Sequence, residues 1–416
     1  MPERINLRVD ADVLPAKPTA LPSDHSNLLP ILSGPPSALS PLAGRRILVT
    51  IAQHARTGDT RPLGDDLMFE DTLALAAHLA ALDADIVLAP VGEAFTPEDL
   101  RTVARIPGVS AWGGAPITAA QENASDCVAG LQAAADGSSA DLVILHDPSL
   151  AAARRDTRPT VTFCETSRLL DWRQWHGDEP APEPVRAASA LERLGLHAAD
   201  RVIATSRSMA ADLVALHGLT LPPAVVPPVF RKPEPHDKRN GETGFMVAGA
   251  AHADPRVLIR LDRAAAQVCG QMLLFDMGPR DPGRSLCLEQ IHRLAPMSSA
   301  TAEALLLRAA AFHSPSSGPG FERLVWRAAS AGCAMILPDT KVHREFWQGA
   351  AHFVDPGSEH AIAAALRRML EDEDHRRRTA AAGLRRARAL ASGPAIATLH
   401  KLLASTLGAA PLTATL

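Results

Sequence analysis

Tyrosine is absent from the 416 residues, and aromatic side chains make up only 4% of them. Alanine and arginine are abundant instead, a compositional bias that points to no function by itself. The five cysteines, Cys127, Cys164, Cys269, Cys287 and Cys333, are odd in number and form no C-x-x-C pair. That spacing excludes a zinc ribbon and speaks for reduced thiols rather than a disulfide framework. No apolar run reaches the length of a membrane span, and the first residues lack a signal peptide's apolar core, so a cytoplasmic protein is expected. The sixteen histidines are scattered without metal-ligand spacing. No H-E-x-x-H, P-loop, G-x-S-x-G or G-x-G-x-x-G signature stands in its required context. A strong charge of one sign is also missing: the formal net charge is −4, which argues against nucleic acid as a partner.

What is present suits a protein of two domains with substantial cores, at 46% hydrophobic and 21% charged residues. Residues 1–43 carry Pro15, Pro18, Pro22, Pro30, Pro35, Pro36 and Pro41 and have little to bury, so they read as a mobile tail. From Arg45 the chain settles into an α/β rhythm. Ile47–Ile51 is a buried-strand run, and Leu67, Asp71, Leu75, His78 and Leu82 recur at helical spacings. Asp85–Ala89 is the next strand, which makes a right-handed parallel crossover. Leu142–Leu145 and Thr160–Phe163 are further strands, ending in His146-Asp147-Pro148 and Cys164-Glu165-Thr166. Ligands of open parallel sheets collect at such carboxyl ends, so both are candidate walls of a cleft.

A polar, proline-containing linker over 232–241 separates a second set of strands, Phe245–Ala248, Met272–Phe275, Ala310–His313 and Ala334–Leu337. Gly249 should open the loop above the first of them. After Ala310–His313 comes a Ser/Pro/Gly loop, then a helix expected over Phe321–Ala331 and stopped by Gly332. A loop of this kind offers backbone N–H groups at a helix start, where an anion such as a diphosphate binds. After Pro356 come an amphipathic helix with Ile362, Leu366, Met369 and Leu370 on one face, and an arginine-rich helix over 374–391.

The stretch Arg308–Pro356 carries a family resemblance. Pro315, Ser316, Gly320, Phe321, Ala328, Gly332, Ile336, Asp339, Glu345, Ala350, Ala351, Val354, Asp355 and Pro356 fall in one ungapped register. The register is that of retaining, nucleotide-sugar-dependent glycosyltransferases of family 4. Ala199–Ser206 is similar to their "A-D-x-V-I-A-x-S" passage. At the two positions where the family carries glutamates, associated with the donor sugar and its ribose, this chain has Pro319 and Arg327. Proline has no polar side chain and arginine only donates, so the usual donor recognition cannot operate unchanged.

The resemblance implies a GT-B fold, two Rossmann-like parallel-sheet domains facing a central cleft. It divides the chain into a tail over 1–43, an acceptor-side domain over 44–230, a nucleotide-sugar-side domain over 231–392 and a final helix and tail over 393–416. It implies transfer of a hexosyl-type sugar, without a metal or cofactor, from a nucleotide sugar to a carbohydrate, lipid-linked or small-molecule acceptor. A peripheral membrane contact is left open. The candidates for acceptor-side chemistry are His146 and Glu165. Those for the donor are Gly249, Arg256, Gly320, Phe321, Glu322, Arg327 and Glu345. The alternative is an inactive relative that serves as a partner or scaffold.

Overall fold

The computed structural model describes residues 40–53, 63–155, 157–228, 233, 246–250, 255–268, 272–276, 288–294, 297–316, 318, 322–391 and 394–408. Two parallel sheets divide them. The first has seven strands: β1 (Arg46–Gln53), β2 (Asp85–Gly92), β3 (Val109–Ala111), β4 (Leu142–Leu145), β5 (Thr160–Cys164), β6 (Arg201–Ala204) and β7 (Ala224–Val225). Their order is β3-β2-β1-β4-β5-β6-β7, all parallel. The connecting helices are α1 (Leu63–Ala80), α2 (Pro97–Val103), α3 (Ala124–Gly137), α4 (Pro148–Ala151), α5 (Arg168–His176), α6 (Glu183–Ala198) and α7 (Arg207–His217).

The second sheet contains β8 (Met246–Ala250), β9 (Met272–Asp276), β10 (Ile291–Arg293), β11 (Ala311–His313), β12 (Ala334–Pro338) and β13 (His352–Val354), in the order β10-β9-β8-β11-β12-β13. Its helices are α8 (Pro255–Ala266), α9 (Ser299–Arg308), α10 (Arg323–Ser330), α11 (Lys341–Trp347), α12 (Glu359–Glu371) and α13 (Glu373–Leu390). Helices cover both faces of each sheet, so central strands are apolar without alternation. Ile47, Leu48 and Ile51 are fully buried in β1, as is every residue of β12. Local chemistry ends the helices where the sequence places stop signals: Gly332 follows α10 at φ 73° and Gly218 follows α7 at φ 67°.

The last helix, α14 (Pro394–Gly408), leaves the second domain and buries Leu399 and Leu403 in the core of the first. His400 Nε2 meets Ser40 Oγ there at 3.1 Å. The chain's start is held at the same place. The tail expected over 1–43 lies outside the described residues as far as 39, but Leu42 is fully buried beside Ile47, Leu73 and Leu399. Residues from Ser40 onward therefore belong to the domain, because an apolar side chain found room between α14 and the sheet.

Two local expectations shift. Gly249 stands inside β8 opposite Phe275 rather than opening a loop. A Cβ on it would come 2.4 Å from Leu324 Cδ2, so glycine is needed for α10 to pack down on the strand. Helix α10 starts at Arg323, with Glu322 as its extended N-cap (φ −90°, ψ 108°). Leu42→Ala is expected to lower folding stability by about 2–5 kcal/mol, the cost of a buried leucine with its cavity. Urea unfolding of the full chain checks this; an unchanged midpoint would place Leu42 outside the core.

Candidate functional site

Each sheet changes strand order once, between β1 and β4 in the first and between β8 and β11 in the second. Ligands of doubly wound sheets bind outside the carboxyl ends at such points. At the first, Thr50 Oγ1 lies 2.9 Å from His146 Nδ1 and accepts the His146 backbone N–H at 3.2 Å. At the second, β11 ends in His313 and continues into Ser314 and Ser316.

The two carboxyl edges face one another, and ion pairs join them. Arg323, the first residue of α10, donates through Nε to Asp71 of α1 at 2.6 Å and through Nη2 to both oxygens of Glu165, past the end of β5, at 2.7 and 2.6 Å. One turn on, Arg327 Nη2 donates to Glu70 at 2.5 Å and lies 3.8 Å from Asp71. The α9 N-terminus meets the same acidic face of α1: the Ser299 N–H donates to Asp66 at 2.7 Å, and its hydroxyl donates to Glu70. Apolar contact accompanies the charges, since Leu63 and Leu67 of α1 are buried in the same cluster as Leu305, Leu324 and Val325. A third link comes from α11, where Glu345 accepts the backbone N–H groups of Arg207 and Ser208 at 2.9 and 3.2 Å. It thereby places a carboxylate at the positive end of α7.

Burial dominates the titration of this seam. Asp71 is pushed up to about 6 by burial, although Arg323 and Arg327 pull it back. Burial works against the charge of both arginines, but the facing carboxylates more than offset it, so each is held above the usual arginine value. Asp171 of α5 lies against Gly318, close enough that a Cβ on that glycine would be 3.4 Å from its Oδ1. Burial, with Glu192 adding to it, raises Asp171 to about 7. Behind it Glu192 pairs with His217 at 2.9 Å between α6 and α7.

The structure thus brings Glu165 and Arg327 to one seam, Glu322 to its reverse side beside Ser314, and His146 to the first switch point. Glu165 and Arg327 stand in cross-domain ion pairs, and Glu345 stands at α7. Arg256 is exposed on α8. Gly320 and Phe321 lie outside the described residues. Sequence reasoning did not single out Arg323, Glu70, His313 or His343 as functional. Asp71 carried a readable signal, a carboxylate on the apolar stripe of α1, where only a paired acid is stable. Among the described residues no group of three His, Cys, Asp or Glu is placed to hold a metal ion, and no helix is long and apolar enough to cross a membrane.

Arg323→Ala strands the buried carboxylate of Asp71 and the part-exposed one of Glu165, and should cost about 3–5 kcal/mol. Arg344→Ala, at the exposed pair with Asp339, should leave the unfolding midpoint unchanged. Equal effects of the two substitutions in chemical denaturation would remove Arg323 from its central place. Asp171 gives a pH test. With a folded value of about 7 against 3.8 unperturbed, it favours the folded state fully below about pH 4, and that contribution is lost as pH rises through about 7. Asp171→Asn should therefore be more stable than the parent at pH 8, with the difference shrinking towards pH 4; a difference that does not vary with pH would refute the assignment.

Residues 70–229 match the family model of the glycosyl transferase 4-like domain. No curated protein matches the sequence. Among solved structures, sucrose-phosphate synthase from Thermosynechococcus elongatus superposes with a TM-score of 0.68 at 16% identity, covering 88% of this chain and 99% of that one. Trehalose 6-phosphate synthase from Burkholderia multivorans gives a TM-score of 0.58 at 15% identity, covering 88% and 98%. Anabaena HepE, in complex with UDP and glucose, gives 0.56 at 16% identity, covering 88% and 99%. The chain has the GT-B fold, and its residues 70–229 are similar to the glycosyl transferase 4-like domain.

Proposed function

We propose that this chain is a glycosyltransferase that moves a sugar from a nucleotide-sugar donor to a carbohydrate, lipid-linked or small-molecule acceptor. The observation that carries the reading is the ion pair between Glu165 and Arg323, which brings the carboxyl edges of both sheets to one cleft. The matched domain and a neighbour that holds UDP and glucose support it.

On this reading the second domain holds the donor. As the domains part, Arg323 and Arg327 leave Asp71, Glu165 and Glu70 and present two permanent positive charges to a departing diphosphate. Preorganised charge of this kind stabilises a leaving group in a site that excludes water. The residues Gly320 and Phe321, at the approach to α10, would add backbone N–H groups. Arg256 and Glu345 would border the donor, and Gly249 lets α10 sit close to β8. The first domain holds the acceptor hydroxyl near His146, oriented by Thr50, with Glu165 released for hydrogen bonding once Arg323 has turned to the donor.

A panel of UDP-, ADP- and GDP-sugars tests the proposal. Nucleoside diphosphate release is expected for at least one member, with or without EDTA, and should fall about 10–100-fold in Arg327→Ala through loss of a charge-assisted contact. If the parent binds and turns over no member at millimolar concentration, the protein is no sugar transferase and a scaffold role replaces it.

A further inference from the structure

Charge is segregated along this chain. Asp374 is the last acid of the sequence, and every lysine and arginine beyond it, six in α13 and Lys401 in α14, follows without one. The formal net charge is nevertheless −4, so the residues up to Asp374 carry the whole negative excess. A basic end on an acidic body points to an extended anionic partner.

Packing fixes which side of α13 is free. Thr379, Gly383 and Ala387 are buried against the second domain. A Cβ on Gly383 would come 3.0 Å from Met335 Cε, and Trp326 of α10 donates through Nε1 to the Ala387 carbonyl at 3.3 Å. Two arginines serve the fold. Arg376 donates to the Met369 and Leu370 carbonyls at the end of α12, at 2.9 and 3.3 Å, and Arg386 to the Gln348 carbonyl at 3.2 Å. The other four, Arg377, Arg378, Arg385 and Arg388, are exposed. At about 3.6 residues per turn they share an arc of about 100°, opposite the buried side, and extend over about 16 Å of helix. The acids of α13, Glu373 and Asp374, are confined to its first turn, where they complement the helix's positive end. Arg377 pairs with Glu373 at 2.7 Å, and the N-cap Asp372 is near Arg378. Among the described residues Arg385 and Arg388 make no ion pair.

We infer that this face of α13 seats the protein on an anionic lipid surface. The stripe is straight, convex and held rigidly from behind, so a plane can meet all four guanidinium groups at once. Each can grip a lipid phosphate through paired N–H groups, and the field of an anionic leaflet attracts every basic residue near it. Between the arginines the exposed residues are Ala381 and, at the edge, Ala389. The face therefore offers neither the aromatic platforms nor the side-chain amides with which nucleic-acid bases are held. A long polyanion that wraps the protein would also meet its acidic body, whereas a plane touches one side only. Helix α10 carries Arg323 at the cleft and Trp326 against α13, so it reaches from the cleft to this face. The face stands apart from the proposed sugar transfer and would bring the cleft to the lipid-linked acceptors among its substrates.

Co-sedimentation of the full chain with vesicles tests this, using phosphatidylcholine alone and phosphatidylcholine mixed with phosphatidylglycerol. The parent should sediment only with the anionic vesicles and be released as salt is raised. The fourfold variant Arg377→Gln, Arg378→Gln, Arg385→Gln and Arg388→Gln should partition about 100-fold more weakly. The same four positions changed to lysine should keep most of the binding. Arg101→Gln, Arg173→Gln, Arg193→Gln and Arg263→Gln together remove the same charge from exposed positions elsewhere and should bind as the parent does. Unfolding midpoints of all variants, measured alongside, report whether each is folded. A parent that ignores anionic vesicles, or binds neutral ones equally well, overturns the inference. Equal losses in the two glutamine variants would reduce the effect to net charge and overturn it too. If the parent binds transfer RNA as tightly as the anionic vesicles, through the same four arginines, the stripe is a general polyanion site and the lipid assignment is wrong.

Discussion

A guanidinium held between two carboxylates from the opposite domain sets the geometry of this protein. Arg323 is partly withdrawn from water, and burial pushes the carboxyl of Asp71 up to about 6 even with Arg323 beside it. Desolvation makes each member costly in isolation, and the mutual attraction repays it only while all three are in place. Because the partners lie on α1, after β5 and at the start of α10, that requirement fixes where two separately built sheets stand relative to each other. Arg327 with Glu70 and Ser299 with Asp66 extend the seam along α1.

The seam also explains why an arginine at position 327 leaves no gap. At the position where the resemblance calls for a glutamate, Arg327 lies against the acidic face of α1 and is nine-tenths buried. A glutamate there would face Glu70 and Asp71 and be repelled. Glu322 lies on the reverse side of the helix start, anchored by Ser314. At both switch points a histidine closes the strand end, held by Thr50 in one sheet and by a strand carbonyl in the other.

Much of the fold was legible in the chain because a strand covered on both faces must be apolar throughout. Leu142–Leu145 and Ala334–Leu337 meet that requirement, and Ile47–Ile51 meets it apart from Thr50. The short edge strand β3 does not: Val109 is buried, Ser110 is exposed, and three residues carry too little pattern to separate from a loop. Of the candidate residues, His146 was readable because it directly follows such a run, and Glu165 because it lies two positions past the strand Thr160–Phe163. His313 was read only as the end of a strand, and Arg323 was not singled out.

The sequence by itself determined the alternation of strands and helices, the glycine stop after α10 and the residues at strand ends, because each depends on neighbours within a few positions. Only the tertiary structure decided who pairs with whom across the cleft. Asp71 and Arg323 are 252 residues apart, and Glu165 and Arg323 are 158 apart. No local period encodes such a pair. It exists because α14 and the apolar side chains Leu63 and Leu67 dock the domains, and docking removes the water that would otherwise have screened those charges.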